Sequence, residues 1–236
     1  MKDAKKLKKM KKIAILQSNY IPWKGYFDMI NMVDEFVLYD TVQFTKNDWR
    51  NRNLIKTQKG LEWITIPVQH TLSQKINETK IFDKKWNKKH FHTLITNYSK
   101  SAYFKDYKDT FENYYFQNTE EFLSRINYGF ITKINEILNI KTLISRSEDF
   151  KIYGEKTEKL IAICKQAGAT EYISGPAAKS YLDEKLFQQE NIKVTWMDYT
   201  GYREYNQLFP PFEHGVSILD LIFNEGKNAT KFMKSF

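Results

Sequence analysis

With a single cysteine, Cys164, this chain of 236 residues has no internal disulfide and no cysteine-based metal framework. Histidine is nearly as scarce: of four, His70 and His214 stand alone, while His90 and His92 lie two apart on a helical stretch and face different sides, a poor metal pair. His-Glu-x-x-His, Gly-x-Ser-x-Gly and the dinucleotide fingerprint are all missing, and no structural or catalytic zinc is expected. Long apolar runs are missing as well. Ile13 to Leu16 is four residues, far short of the roughly 20 of a spanning helix or the roughly 7–15 of a signal peptide, so a cytoplasmic chain with no integral membrane segment is expected.

Acidic residues are the minority, 28 against 37 Lys and Arg, a net charge of +9. Seven Lys and one Asp sit in residues 1–12, so that segment carries +6 and leaves only +3 for the other 224 residues. The excess is thus a terminal property, and nucleic acid is not an expected partner. Residues 1–10 read as a basic, disordered tail offering weak attachment to a membrane surface, and the frame that opens at Met10 marks the first nine residues as an optional extension. A hydrophobic fraction of 42% supports a packed core in the remainder.

Residues 11–236 read as one α/β domain with a mostly parallel, Rossmann-like sheet. Lys11–Leu16 and Glu35–Tyr39 are short apolar strands joined by a turn and a helical face of Phe27, Ile30 and Val33, the pattern of a βαβ unit. A third strand is expected over Glu62–Val68, at an edge or ending at Pro67. From Trp86 to about Ile137 there is no proline and one glycine, and the region is crowded with Tyr and Phe at helical spacing. It predicts two or three helices, a helical insertion or lid over about 85–140. Alternation returns with Thr142–Ser145, a helix over Lys156–Ala167, strands at Glu171–Ser174 and Lys193–Met197, and a last helix over Ser217–Phe223.

Three polar clusters fall after predicted strands, where parallel sheets bind ligands. The first runs through Gln17, Tyr20, Trp23, Lys24, Gly25 and Tyr26, with Gly25 giving a ligand close backbone approach near a helix start. The second runs from Asp40 through Gln43, Lys46, Trp49, Arg50, Asn51 and Arg52. Two of the chain's five Arg stand here at i and i+2, beside Lys46, and guanidinium groups bind phosphate or carboxylate in fixed geometry. A small phosphorylated ligand is the expected partner. The third, Ser174, Gly175, Lys179 and Tyr181, has small residues before a Lys but lacks the P-loop spacing. Asp40 and His90 are the candidate general bases.

Taken together, Tyr20-Ile21-Pro22-Trp23-Lys24-Gly25-Tyr26-Phe27, Asp40-Thr41-Val42-Gln43-Phe44, Trp49-Arg50-Asn51-Arg52-Asn53, Trp63-Ile64-Thr65-Ile66-Pro67-Val68 and Ser217-Ile218-Leu219-Asp220-Leu221-Ile222-Phe223-Asn224 resemble the WbqC-like family of bacterial proteins. The resemblance runs from about Lys11 to Gly226. It implies a role in the biosynthesis of O-antigen or other surface glycans, and little about reaction type. Locally, Trp23-Lys24-Gly25-Tyr26 is similar in spacing to the His-x-Gly-His of pantothenate-synthetase-type nucleotidyltransferases, with both histidines replaced. That likeness implies ATP with Mg²⁺ as a co-substrate, its phosphates met by Lys24, Arg50, Arg52 and Lys179. Three functions compete: acyl or aminoacyl transfer or ligation onto an amino sugar, glycosyl transfer from a nucleotide sugar, and non-catalytic binding of a precursor.

Overall fold

The structure, a computed structural model, describes residues 10–236, so the expected tail lies outside the described residues except for Met10. Strand β1 (Lys12–Leu16) is followed by helix α1 (Lys24–Asn31) and β2 (Glu35–Leu38). After β2 come a hairpin, β3 (Arg52–Thr57) with β4 (Gly60–Thr65), and a two-residue pair, β5 (Val68–Gln69) with β6 (Lys80–Ile81). Helices α2 (Trp86–Tyr98), α3 (Phe104–Gln117) and α4 (Leu123–Leu138) precede β7 (Leu143–Arg146). The chain then runs through α5 (Thr157–Gln166), β8 (Glu171–Ser174), α6 (Glu184–Gln189), β9 (Lys193–Trp196) and α7 (Ile218–Glu225).

Five strands form one sheet in the order β7-β2-β1-β8-β9, every neighbouring pair parallel. The fold is α/β and Rossmann-like. Strand β1 is central because its residues are apolar on both faces, and the two-residue period of a strand sends them to different cores. Ile13 and Ile15 pack with Val37, Cys164, Tyr172 and Phe187 under α5 and α6. Ala14 packs with Phe36, Leu38 and Ile173 in a larger core that takes in Tyr20, Phe27, Phe91, Phe130 and Phe223. That second core includes side chains from α1, α2, α3, α4 and α7, so the aromatics of the helical region are buried against the sheet's own face. Among the described residues no helix is long and apolar enough to cross a membrane.

One expected element sits elsewhere. The third strand does end before Pro67, but it belongs to the antiparallel β3–β4 hairpin and not to the parallel sheet. Its partner β3 lies within 40–59, a polar stretch in which no strand is expected. Asn53 and Lys56 are buried on β3 because each finds a carbonyl: Asn53 Nδ2 donates to Tyr20 and Ile21, both at 3.0 Å, and Lys56 Nζ donates to Pro211 at 2.5 Å. Buried polar groups with such partners do not break a strand, whereas unpaired ones would.

Candidate functional site

The strand order reverses at β1, which has β2 on one side and β8 on the other, so the carboxyl ends of β1 and β8 flank the position where open parallel sheets hold ligands. The loop leaving β1 carries Ser18 as its second residue, and the Ser18 backbone N–H donates to Asp40 Oδ1 at 2.8 Å. The Asp40 N–H donates in turn to Ser147 Oγ at 3.1 Å, which ties together the loops after β1, β2 and β7. Asp40 is 3% exposed. Burial pushes its carboxyl up to about 6 and Glu148 adds to this, while the Ser18 hydrogen bonds and Arg50 pull the other way. It is a carboxylate near neutrality, ready to take a proton.

Beyond Ser18 the chain turns sharply. Ile21 has φ of 37°, rare for a β-branched residue, and the Asn53 amide that bonds both neighbouring carbonyls holds it there. The turn presents Asn19, Pro22 and Trp23 to a cleft of about 280 Å³, closed on its other sides by Trp49, Asn53 and Gly215. Arg50 reaches the same wall. Its Nη1 donates to Asn19 Oδ1 and its Nη2 lies 3.4 Å from Asp48 Oδ2, while its Nε is buried without a partner. The guanidinium therefore keeps an unused donor beside a cleft-lining residue and within the field of Asp40. Asn127 of α4 fixes this corner by donating to Ser18 Oγ at 3.1 Å and to the Arg50 carbonyl at 2.8 Å. Tyr26 places its hydroxyl on the Gln17 carbonyl at 3.1 Å, and burial and then Asp40 raise its pKa.

The expected residues divide clearly. Gln17, Trp23, Tyr26, Asp40, Trp49 and Arg50 gather at this edge. Asn51 is buried with its amide on the Ile66 carbonyl at 2.9 Å, bracing the hairpin. Arg52 turns outward, its guanidinium 4.0 Å from the Trp63 ring. Gly25 makes room for Trp23: a Cβ there would lie 2.3 Å from the indole. Lys24 is buried in a box of Tyr202, Tyr205 and Phe212, its Nζ 3.4 Å from the Arg203 carbonyl. Burial brings its amine down to about 8 against the pull of Asp28 and Asp220.

Tyr20 and His90 are joined in the core. The Tyr20 hydroxyl meets His90 Nδ1 at 2.9 Å and His90 Nε2 meets the Thr65 carbonyl at 3.1 Å, so the ring has no free nitrogen, and burial lowers its pKa to about 4. That leaves Asp40 as the base the geometry offers. Gln43 and Lys46 are exposed, with Gln43 bridged to Lys75. In the third cluster Ser174 is buried at the end of β8 and Gly175 comes near the Tyr199 hydroxyl, but Lys179 lies over Trp196, 5.5 Å away, and Tyr181 is exposed. Instead of an α-helix start, a 3₁₀ turn, Pro176–Ser180, follows Gly175.

Asn19, Asn127, Ser147 and Tyr199 complete the site. Asn127 and Ser147 lie far along the chain on otherwise ordinary helix and turn segments, and no local signal marks them. Tyr199 packs edge-on against Trp23, ring centres 5.1 Å apart, and so joins the loop after β9 to the one after β1.

The model of the WbqC-like protein family matches residues 17–232, which takes in every residue of the cleft. The chain belongs to the WbqC-like family. A Mycobacterium tuberculosis protein named "Uncharacterized protein Rv1507c" is 50% identical over 227 residues, covering 95% of this chain and 98% of that one. No solved structure matches the chain. In this family member the matched region opens at Gln17, the first residue past β1.

Proposed function

We propose that this WbqC-like protein is a cytoplasmic biosynthetic enzyme of O-antigen or other surface-glycan assembly that binds a phosphorylated, nucleotide- or lipid-linked amino sugar in the cleft and transfers an acyl or aminoacyl group to its amine. The observation that supports it is Arg50, nine-tenths buried, its Nη1 on the cleft-lining Asn19, its Nε without a partner and its charge felt by the Asp40 carboxylate. A buried guanidinium with a spare donor suits a phosphate oxygen. In the transfer, the sugar amine attacks the acyl carbonyl, Asp40 takes the proton the nitrogen sheds, and the acyl donor's leaving group departs with the electron pair. Family membership supports the glycan assignment.

Thermal shift and calorimetry with a nucleoside diphosphate, a nucleotide amino sugar, and ATP with Mg²⁺ test the reading. Arg50→Ala is expected to abolish the shift, and Asp40→Asn to retain binding while losing turnover. Release of nucleoside diphosphate without acyl transfer would assign glycosyl transfer instead. An Asp40→Asn protein with full cellular activity would assign a binding module.

A further inference from the structure

The outer face of the β3–β4 hairpin carries an aromatic ledge that the cleft does not account for. Leu54 stands opposite Trp63 and Arg52 opposite Thr65, so by strand alternation Arg52, Leu54 and Trp63 share the solvent face while Asn53, Ile55 and Ile64 face inward and are buried. Trp63 is 43% exposed and Trp49 40%, their ring centres 5.0 Å apart and their planes at 46°. Arg52 lies 4.0 Å over Trp63, its Nη2 on the Asn47 carbonyl and its Nε buried without a partner. Its Nη1 hydrogen-bonds nothing among the described residues. Trp49 is also a wall of the cleft, so the ledge continues the cleft outward.

We infer that Trp49, Trp63 and Arg52 form a second subsite that binds the ring of a neutral hexopyranose, the sugar next to the one held in the cleft. Two large indoles open to solvent at the mouth of a cleft are an apolar surface whose exposure calls for a ligand. A flat base needs parallel planes to be held on both sides, and a 46° wedge does not provide them. A pyranose ring offers C–H groups to such a wedge while its equatorial hydroxyls accept from a guanidinium with unspent donors. The ledge rests on the glycan reading for its natural ligand, but its own test does not use phosphate.

The test titrates the full chain with tri-N-acetylchitotriose, read by tryptophan fluorescence, and separately with uridine diphosphate, read by calorimetry, for the wild type, Trp63→Ala, Arg52→Ala and Arg50→Ala. Because Trp63 and Arg52 lie on the surface, melting temperatures near that of the wild type are expected to confirm folding. The saccharide should bind the wild type and Arg50→Ala alike, and weaken about tenfold in Trp63→Ala and severalfold in Arg52→Ala. Uridine diphosphate affinity should be unchanged in Trp63→Ala and lost in Arg50→Ala. No saccharide response in the wild type at tens of millimolar overturns the ledge, as does a Trp63→Ala protein that binds it normally. A Trp63→Ala loss confined to uridine diphosphate marks a base platform and overturns it too. Trp63-dependent saccharide binding in a wild type indifferent to uridine diphosphate sustains the ledge and removes the phosphate reading of Arg50.

Discussion

The hydroxyl of Tyr20 stands 2.9 Å from Nδ1 of His90, and the Tyr20 N–H donates to the Trp49 carbonyl at 3.1 Å, so a histidine in the core holds a wall of the cleft in place. The Tyr115 hydroxyl, 2.6 Å from that of Tyr20, completes the chain of bonds. Substituting His90→Phe removes the acceptor for Tyr20 and the donor for Thr65 in a buried setting. A loss of about 2–4 kcal/mol of stability is expected from urea unfolding.

The pH dependence of stability separates His90 from Asp40. His90 has a folded-state pKa lowered to about 4 from 6.5, so its contribution is present above about 6.5 and is lost as the pH falls toward 4, when only the unfolded chain takes the proton. Asp40 has a folded-state pKa raised from 3.8 to about 6, so its contribution is present below 3.8 and is lost as the pH rises through 6. Each is worth about 3 kcal/mol, and in the wild type they offset one another between pH 4 and 6. Relative to the wild type, Asp40→Asn is expected to lose stability on acidification from pH 7.5 to 4.5, and His90→Phe to gain it. Parallel slopes for all three proteins in urea melts would sink both assignments.

At pH 8 the same carboxylate is a burden on the fold. Asp40→Asn keeps an oxygen able to accept from Ser18 and removes the buried charge, so its melting temperature at pH 8 is expected to equal or exceed that of the wild type while the proposed transfer activity falls at least a hundredfold. A protein destabilised at pH 8 by this change would show that the carboxylate stabilises the fold as an ion.

Gly25→Ala drives a methyl into the Trp23 indole, whose nearest atom would lie 2.3 Å away. The ring has to leave its place against Tyr199 and Tyr202, and a cost of about 1–3 kcal/mol is expected. Tryptophan fluorescence should shift toward the red and ligand affinity should fall with it. An unchanged spectrum would mean that the indole is not seated on Gly25.

Asn127→Leu removes two donors from the site corner, those to Ser18 Oγ and to the Arg50 carbonyl. Affinity for the proposed phosphorylated ligand is expected to fall severalfold, and stability by about 1–3 kcal/mol, as two buried acceptors lose their partner. Calorimetry beside thermal melts checks both. Normal affinity would detach Asn127 from the site.

What the sequence determined alone is the sheet and the edge at which the site lies. Ile13, Ala14 and Ile15 are apolar without alternation, which only a strand covered on both faces tolerates, and the polar clusters after β1 and β2 follow directly in the chain. Local pattern also gives the helices, because their aromatic stripes recur at 3.6 residues. Only the tertiary structure decided which polar residues share a site. Arg50 and Arg52 are two apart, yet one turns inward to Asn19 and the other outward onto Trp63, because the hairpin begins between them. His90 and Lys24 carry reactive groups in the sequence and spend them in the fold, one on Tyr20 and Thr65, the other among three aromatic rings. A residue's type is written in the chain, but whether its donors are used up is set by neighbours that come from 70 or 179 positions away.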